Sequence, residues 1–245
     1  MKSHAVCADL DKDDLELAEG FEAKGFVIQP LLNDRELQTI RTAVHEYIDR
    51  VSMSLLYPYE DSHPKAGLEE RLELIAARDR SIAETLLQAV MSDAQRDERM
   101  QSLQTHPRLL DMASRLMGCP VRASTLRIRA NLPSFPELRQ QWHTDVVLLD
   151  GGDCATIKLA CWIPLMDVDG CNGALEVIPG KNDAPPTHAK HRGHVINENW
   201  LRDKPREIVE CPAGHALFID RFTPHRAILN ASKSIRWSVV LWMKS

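Results

Sequence analysis

At 245 residues the chain has the length for one large domain with a real core, or for two small ones. Its 44% hydrophobic and 27% charged content is ordinary for a soluble globular protein. A net charge of −5 speaks against broad attraction to nucleic acid or anionic lipid, and no stretch approaches the ~20 apolar residues of a membrane helix. The N-terminal MKSHAVCADLDKDD lacks the apolar core of a signal peptide. Six scattered cysteines with no CxxC argue against zinc-finger, thioredoxin and disulfide-framework readings. A cytoplasmic protein with reduced, mostly buried thiols is expected.

In chain order, residues 10–117 are mainly helical in pattern. A short charged helix over 11–24 ends at Gly25, and GFVIQPLL follows as a strand. Asn33 and Glu36 form a capping box for the next helix, whose buried stripe is Leu37, Ile40, Val44 and Ile48. LYPYEDSHPKAG is a loop. Residues 69–92 and 106–117 are two further helical patterns, the second closed by Gly118, and the charged run 93–99 is a solvated face or turn.

From Val121 the period changes to two. STLRIRANLP, ATIKLACWIPL, HALFID and SIRWSVVLW read as strands, and many short strands with turns between them suggest a sandwich or barrel. Thr156, Lys158, Ala160 and Trp162 share one face of their strand, with Ile157, Leu159, Cys161 and Ile163 on the other. In the last strand Ser234, Arg236 and Ser238 oppose Ile235, Trp237, Val239 and Leu241. The apolar faces can pack on the N-terminal helices, leaving the polar faces to line a cavity between two sheets.

His143 and Asp145 in QWHTDVV are two apart, so on an extended segment both point to one side, with Thr144 turned away. His225, 82 residues after His143, completes two histidines and a carboxylate. That is the facial set of non-haem Fe(II) oxygenases, with three adjacent metal positions open. Ten histidines make a chance partner for any His-x-Asp easy to find, so composition alone leaves a metal site open. Arg236, eleven residues after His225, lies where a returning hairpin brings it beside the metal. There its guanidinium can clamp a carboxylate bidentately, with Ser238 adding a hydroxyl.

Weaker signals remain. Arg127, Arg129 and Asn131 share a strand face that is either solvated or, with Lys158, lines a pocket for a polar or anionic substrate. Gln141 can reach a cosubstrate. His188, His191 and His194 in HAKHRGH suit a loop over a pocket mouth better than a metal cluster. DGGD (150–153) lacks the setting of a phosphate loop, and no GxSxG or catalytic cysteine context is present.

WHTD, CWIPLMDVDGCNGALEVIPGK and HRAILNASKSIRWS, in this order and spacing, resemble the phytanoyl-CoA dioxygenase-like family of Fe(II)/2-oxoglutarate-dependent oxygenases. The resemblance extends from GFVIQPLLNDREL through HPRLLDMASRLMGCPV to the end. It implies a mainly β protein with N-terminal helices, a double-stranded β-helix (jelly roll, cupin-like). Residues 1–245 would be one oxygenase domain, with 10–117 as helical support and 118–245 as the core. It implies that His143, Asp145 and His225 bind Fe(II) and carry the catalysis, and that Arg236 and Ser238 hold the distal carboxylate of 2-oxoglutarate. Trp162 and Gln141 would border that cosubstrate, and O2 would complete the reaction to succinate and CO2. The substrate would be a small polar molecule. Halogenating relatives replace the His-x-Asp carboxylate with a small residue, so Asp145 implies hydroxylation instead. Two departures, Gly214-His215 for Gly-Asp and PGKN (Lys181, Asn182) for PGSH, put substrate contacts in doubt. A non-redox metal enzyme and an inactive binding protein are alternatives on the same scaffold, and the oligomeric state is not written in the motifs.

Overall fold

A computed structural model describes residues 12–93, 96–146, 157–184, 186–187 and 195–245. His188, His191, His194, the DGGD stretch, Cys7 and Cys154 lie outside the described residues.

Helix α1 (Lys12–Lys24) closes at Gly25, whose φ of +75° turns the chain into β1 (Phe26–Pro30). Only glycine suits that turn, because a Cβ there would sit 2.3 Å from Thr223 Oγ1. Helix α2 (Asp34–Ser54) starts with the reciprocal capping box: Glu36 N donates to Asn33 Oδ1 at 2.9 Å and Asn33 N to Glu36 Oε2 at 2.8 Å. Ile40, Val44 and Ile48 are buried and Leu37 packs at the margin of the same cluster.

The 69–92 pattern is two helices, α3 (Arg71–Arg78) and α4 (Arg80–Asp93). The break falls at Asp79, which adopts an extended backbone while its carboxylate accepts the Ile82 amide at 3.1 Å. An aspartate offering that bond ends one helix and caps the next. Within 93–99, Asp97 caps α5 (Glu98–Gln101) and pairs with Arg99, which also reaches Glu46 at 2.7 Å. This run therefore ties α5 to α2 and is more than a solvated face. Helix α6 (Pro107–Met117) carries proline in its first turn and ends at left-handed Gly118.

Among the described residues, eight strands follow this helical layer or interleave with it. The larger sheet is antiparallel with order β1-β6-β3-β8-β2, adding β2 (Arg122–Asn131), β3 (Ile157–Pro164), β6 (His215–Asp220) and β8 (Arg236–Lys244). The smaller has order β5-β4-β7, from β4 (Leu175–Val177), β5 (Glu207–Val209) and β7 (His225–Ala227). A single turn of helix, α7 (Glu198–Leu201), precedes β5.

Period-two alternation decides the layering. Leu159, Cys161 and Ile163 of β3, Ala216 and Phe218 of β6, and Trp237, Val239 and Leu241 of β8 join the helices in one large core. Trp162, Leu217, Ile219 and Val240 face the smaller sheet and meet Leu175, Val177, Val209 and Ala227. The result is helices, larger sheet and smaller sheet in three layers, a jelly roll with the functional face inside. Among the described residues Cys161 and Cys211 are buried, Cys119 is half-buried and Cys171 is exposed. No helix among the described residues is long and apolar enough to cross a membrane.

Candidate active site

His143 does not lie in a long strand. It forms an isolated antiparallel bridge with His225, each amide donating to the other's carbonyl at 3.0 Å. That pairing joins two segments 82 residues apart and sets the imidazole centroids 4.3 Å from one another. Each ring is then fixed the same way. Nδ1 of His143 bonds the Gln141 carbonyl at 2.8 Å, and Nδ1 of His225 bonds the Thr223 carbonyl at 3.1 Å. A carbonyl only accepts, so Nδ1 holds the proton and Nε2 carries the lone pair a metal needs.

Asp145 completes the cluster: one donor atom from each of His143, Asp145 and His225 lies within 4.8 Å of the others. Its Oδ2 is 3.9 Å from His225 Nε2, while its Oδ1 accepts from Trp242 Nε1 at 2.6 Å. Thr144 turns away and bonds the Val146 carbonyl at 2.8 Å. Oδ2 itself is buried without a hydrogen-bond partner among the described residues. A buried carboxylate oxygen left so is unfavourable unless a cation meets it. Two imidazole nitrogens beside that oxygen make a donor set suited to ferrous iron.

Arg236 is 3% exposed at the start of β8. Its Nε donates to the Gly173 carbonyl at 3.0 Å and its Nη1 to Ser238 Oγ at 2.9 Å, and its guanidinium lies 5.4 Å from the Trp162 ring centroid. Burial pushes its pKa down to about 10, and no carboxylate among the described residues pairs with it. A buried cation without a counter-ion fits the carboxylate of a dicarboxylic cosubstrate. The chain reaches this geometry through Gly173, whose φ is +91° and whose added Cβ would lie 2.4 Å from Asn131 Nδ2.

Two neighbouring cavities occupy the inner face. One holds His143, Asp145 and His225 with Trp162 and Trp242, and the other, of about 250 Å³, holds Arg236 and runs beneath α4. Arg129 and Gln140 line both. Arg129 faces Ser238 across the β2–β8 pair. Burial lowers its pKa, Arg127 adds to that effect, and the Asp145 charge opposes it.

The remaining expected residues divide. Asn131 is buried on the wall of the larger cavity and donates to the Ile228 carbonyl at 3.0 Å. Arg127 is exposed and lines neither cavity. Lys158 also lines neither, because the β3–β8 register slips between Ile157 and Leu159 and takes it out of the regular pairing. The Gln141 side chain is exposed; its carbonyl anchors His143 while Gln140 takes the lining position. The two departures lie off both cavities: Gly214 packs against Leu32, Lys181 pairs with Glu22, and Asn182 bonds the Phe222 carbonyl at 3.4 Å. Sequence reasoning missed Trp242, although extending the Arg236–Ser238 alternation by four residues reaches it. Gln140 and the Gly173 carbonyl had no comparable signal.

The family model described as phytanoyl-CoA dioxygenase (PhyH) matches residues 21–238. No curated protein matches the chain. Among solved structures, SnoK, a "non-heme alpha ketoglutarate dependent carbocyclase" from nogalamycin biosynthesis, aligns with a TM-score of 0.64 at 21% identity, over 97% of this chain and 85% of its own. The epimerase SnoN in complex with Fe3+, alpha ketoglutarate and nogalamycin RO gives 0.59 at 20% identity, over 95% and 84%. EctD from S. alaskensis with bound Fe gives 0.57 at 17% identity, over 100% and 80%. These structures share the fold, and the family match spans most of the chain. The chain belongs to the phytanoyl-CoA dioxygenase (PhyH) family and is a 2-oxoglutarate-dependent non-haem iron oxygenase.

Proposed function

We propose that this protein hydroxylates an unactivated C–H bond of a small polar molecule, as a single oxygenase domain in the cytoplasm. The likeness to SnoK, from nogalamycin biosynthesis, and to SnoN, in complex with nogalamycin RO, supports a role in secondary metabolism. One observation carries the reading: Asp145 Oδ2, buried beside two histidines and unpartnered among the described residues, lines a cavity that shares Arg129 and Gln140 with the cavity of Arg236, itself buried with no acid pairing it among the described residues. A binding protein has no use for both at once, and a non-redox metal enzyme has no use for the arginine.

When bound, iron with 2-oxoglutarate and O2 supplies the oxidising power, 2-oxoglutarate leaving as succinate and CO2. The chain supplies the rest. His143, Asp145 and His225 would hold the metal, and the Gln141 and Thr223 carbonyls keep both imidazoles in the ligating tautomer. Trp242 holds the Asp145 carboxylate in place from one oxygen. Arg236 and Ser238 would fix the far carboxylate of the cosubstrate, with Trp162 beside it. Val240, Ile219 and Leu175 line the metal cavity and limit water there.

The test is succinate release and a product heavier by one oxygen, with Fe(II), ascorbate, 2-oxoglutarate and a metabolite library. Absence of 2-oxoglutarate-dependent succinate overturns the reading. Run in high chloride or bromide, the same assay is expected to give no halogenated product, because Asp145 would hold the metal where a halide would otherwise bind; a halogenated product would remove Asp145 from the ligand set.

A further inference from the structure

The two cavity arginines are placed for different ligands. Arg236 has two donors engaged, on the Gly173 carbonyl and Ser238 Oγ, and lines only the larger cavity. Arg129 is near enough to Asp145 to feel its charge, and its Nε is buried with no hydrogen-bond partner among the described residues. Among the described residues no carboxylate forms an ion pair with Arg129. Glu137 is engaged by Arg80, and Glu176 by Arg226.

Charge balance then points to a third party. Beyond the family reading, on which this step rests, a ferrous ion, Asp145, the two carboxylates of 2-oxoglutarate and Arg236 cancel one another. Arg129 is left as an excess positive charge, and half-buried Arg139 adds a second at the rim of the 250 Å³ cavity. Among the described residues no acidic side chain lines that cavity. Arg129 is half-buried with its Nε enclosed, a partly desolvated charge calls for a counter-charge, and the primary substrate is the ligand still to be seated. The same cavity also has apolar lining from Leu87 and Met91 of α4 and from Leu138, with Gln88 beside them.

We propose that the primary substrate is an oxyanion with an apolar body: its carboxylate or phosphate seats on Arg129, with Arg139 at the rim, and its body lies along Leu87, Met91 and Leu138. Because Arg129 and Gln140 border both cavities, a molecule anchored there extends directly to the metal ligands.

The experiment is calorimetric titration under nitrogen of the protein loaded with Fe(II) and 2-oxoglutarate, so that no turnover intervenes. The probes are hexanoate, hexyl phosphate and the neutral hexanamide. At least one anion is expected to bind about tenfold or more tightly than the amide, as one charge-assisted contact implies. Which anion binds better decides between carboxylate and phosphate. Arg129→Gln is expected to abolish the preference and Arg129→Lys to retain part of it, while 2-oxoglutarate affinity stays within about twofold. Arg139→Gln, at the half-buried rim, is expected to weaken the anion a few-fold and serves if the Arg129 variants fail to fold. Equal binding of amide and anions, or no binding of any probe, overturns the proposal. So does a loss of 2-oxoglutarate affinity in Arg129→Gln as large as that in Arg236→Leu, which would give Arg129 to the cosubstrate. Failure of the wild-type protein to bind 2-oxoglutarate would instead remove the oxygenase reading beneath it.

Discussion

The two faces of β8 are built from the same nine residues on opposite principles. On the helix side, Trp237, Val239, Leu241 and Met243 are wholly buried among apolar neighbours, and the Trp237 indole donates to the Leu68 carbonyl at 3.0 Å. Volume and polarity are both satisfied there. On the cavity side, Arg236 and Ser238 sit as deep or nearly so and Trp242 is half-buried, yet Arg236 has no counter-ion and Trp242 is spent on a carboxylate that keeps one oxygen unpartnered, both among the described residues. One face is complete in the chain itself, and the other is complete only with ligands. Burial alone therefore does not mark a core position: what separates the faces is whether each polar group already has its partner.

Substitutions can break that contrast in order of size. Trp237→Ala, on the complete face, should cost about 3–5 kcal/mol of unfolding free energy, read by denaturant titration, because it empties a large packed site. A stability loss under about 1 kcal/mol would mean the two faces are not so different. His225→Ala should leave the unfolding curve nearly in place but abolish iron binding and lower turnover more than about 100-fold, since even residues behind the ligands are worth ~10–100-fold. Iron content by elemental analysis checks it, and full occupancy would dissolve the ligand set. Arg236→Leu should raise the 2-oxoglutarate concentration for half-maximal rate by roughly 10–100-fold, the equivalent of about 1.5–3 kcal/mol for a charge-assisted contact. The substrate requirement should move far less; equal shifts would reassign the arginine. Trp242→Phe sharpens the comparison further. It keeps the ring and removes the Nε1 bond to Asp145, so metal affinity should fall about tenfold while succinate formation recovers in excess iron. Failure to recover would give Trp242 a role beyond holding the carboxylate.

Much of this contrast is legible in the order of residues. Alternation in SIRWSVVLW and ATIKLACWIP sorts helix side from cavity side, and the pattern placed Trp162, Arg236 and Ser238 on the cavity side, where the structure puts them. The capping box of α2 is local, and so it too can be read directly. What fails to read are features made by slips and long-range pairing. The Asp79 break lies inside an unbroken helical pattern, and the bulge at Lys158 shifts a residue that strict alternation would keep on the wall. The one-residue choice between Gln140 and Gln141 depends on the bridge that His143 makes with His225, across 82 residues of sequence.

By itself the sequence determined which residue types are available and on which side of each strand they fall, because side-chain direction has a fixed period set by the backbone. It therefore carried the His-x-Asp pair, the third histidine and the arginine. Only the tertiary structure decided that these groups meet, which nitrogen of each imidazole holds the proton, and that Arg129 borders two cavities with no ion-pair partner among the described residues. Those outcomes depend on which carbonyls and charges distant segments bring together, and no local periodicity encodes that distance.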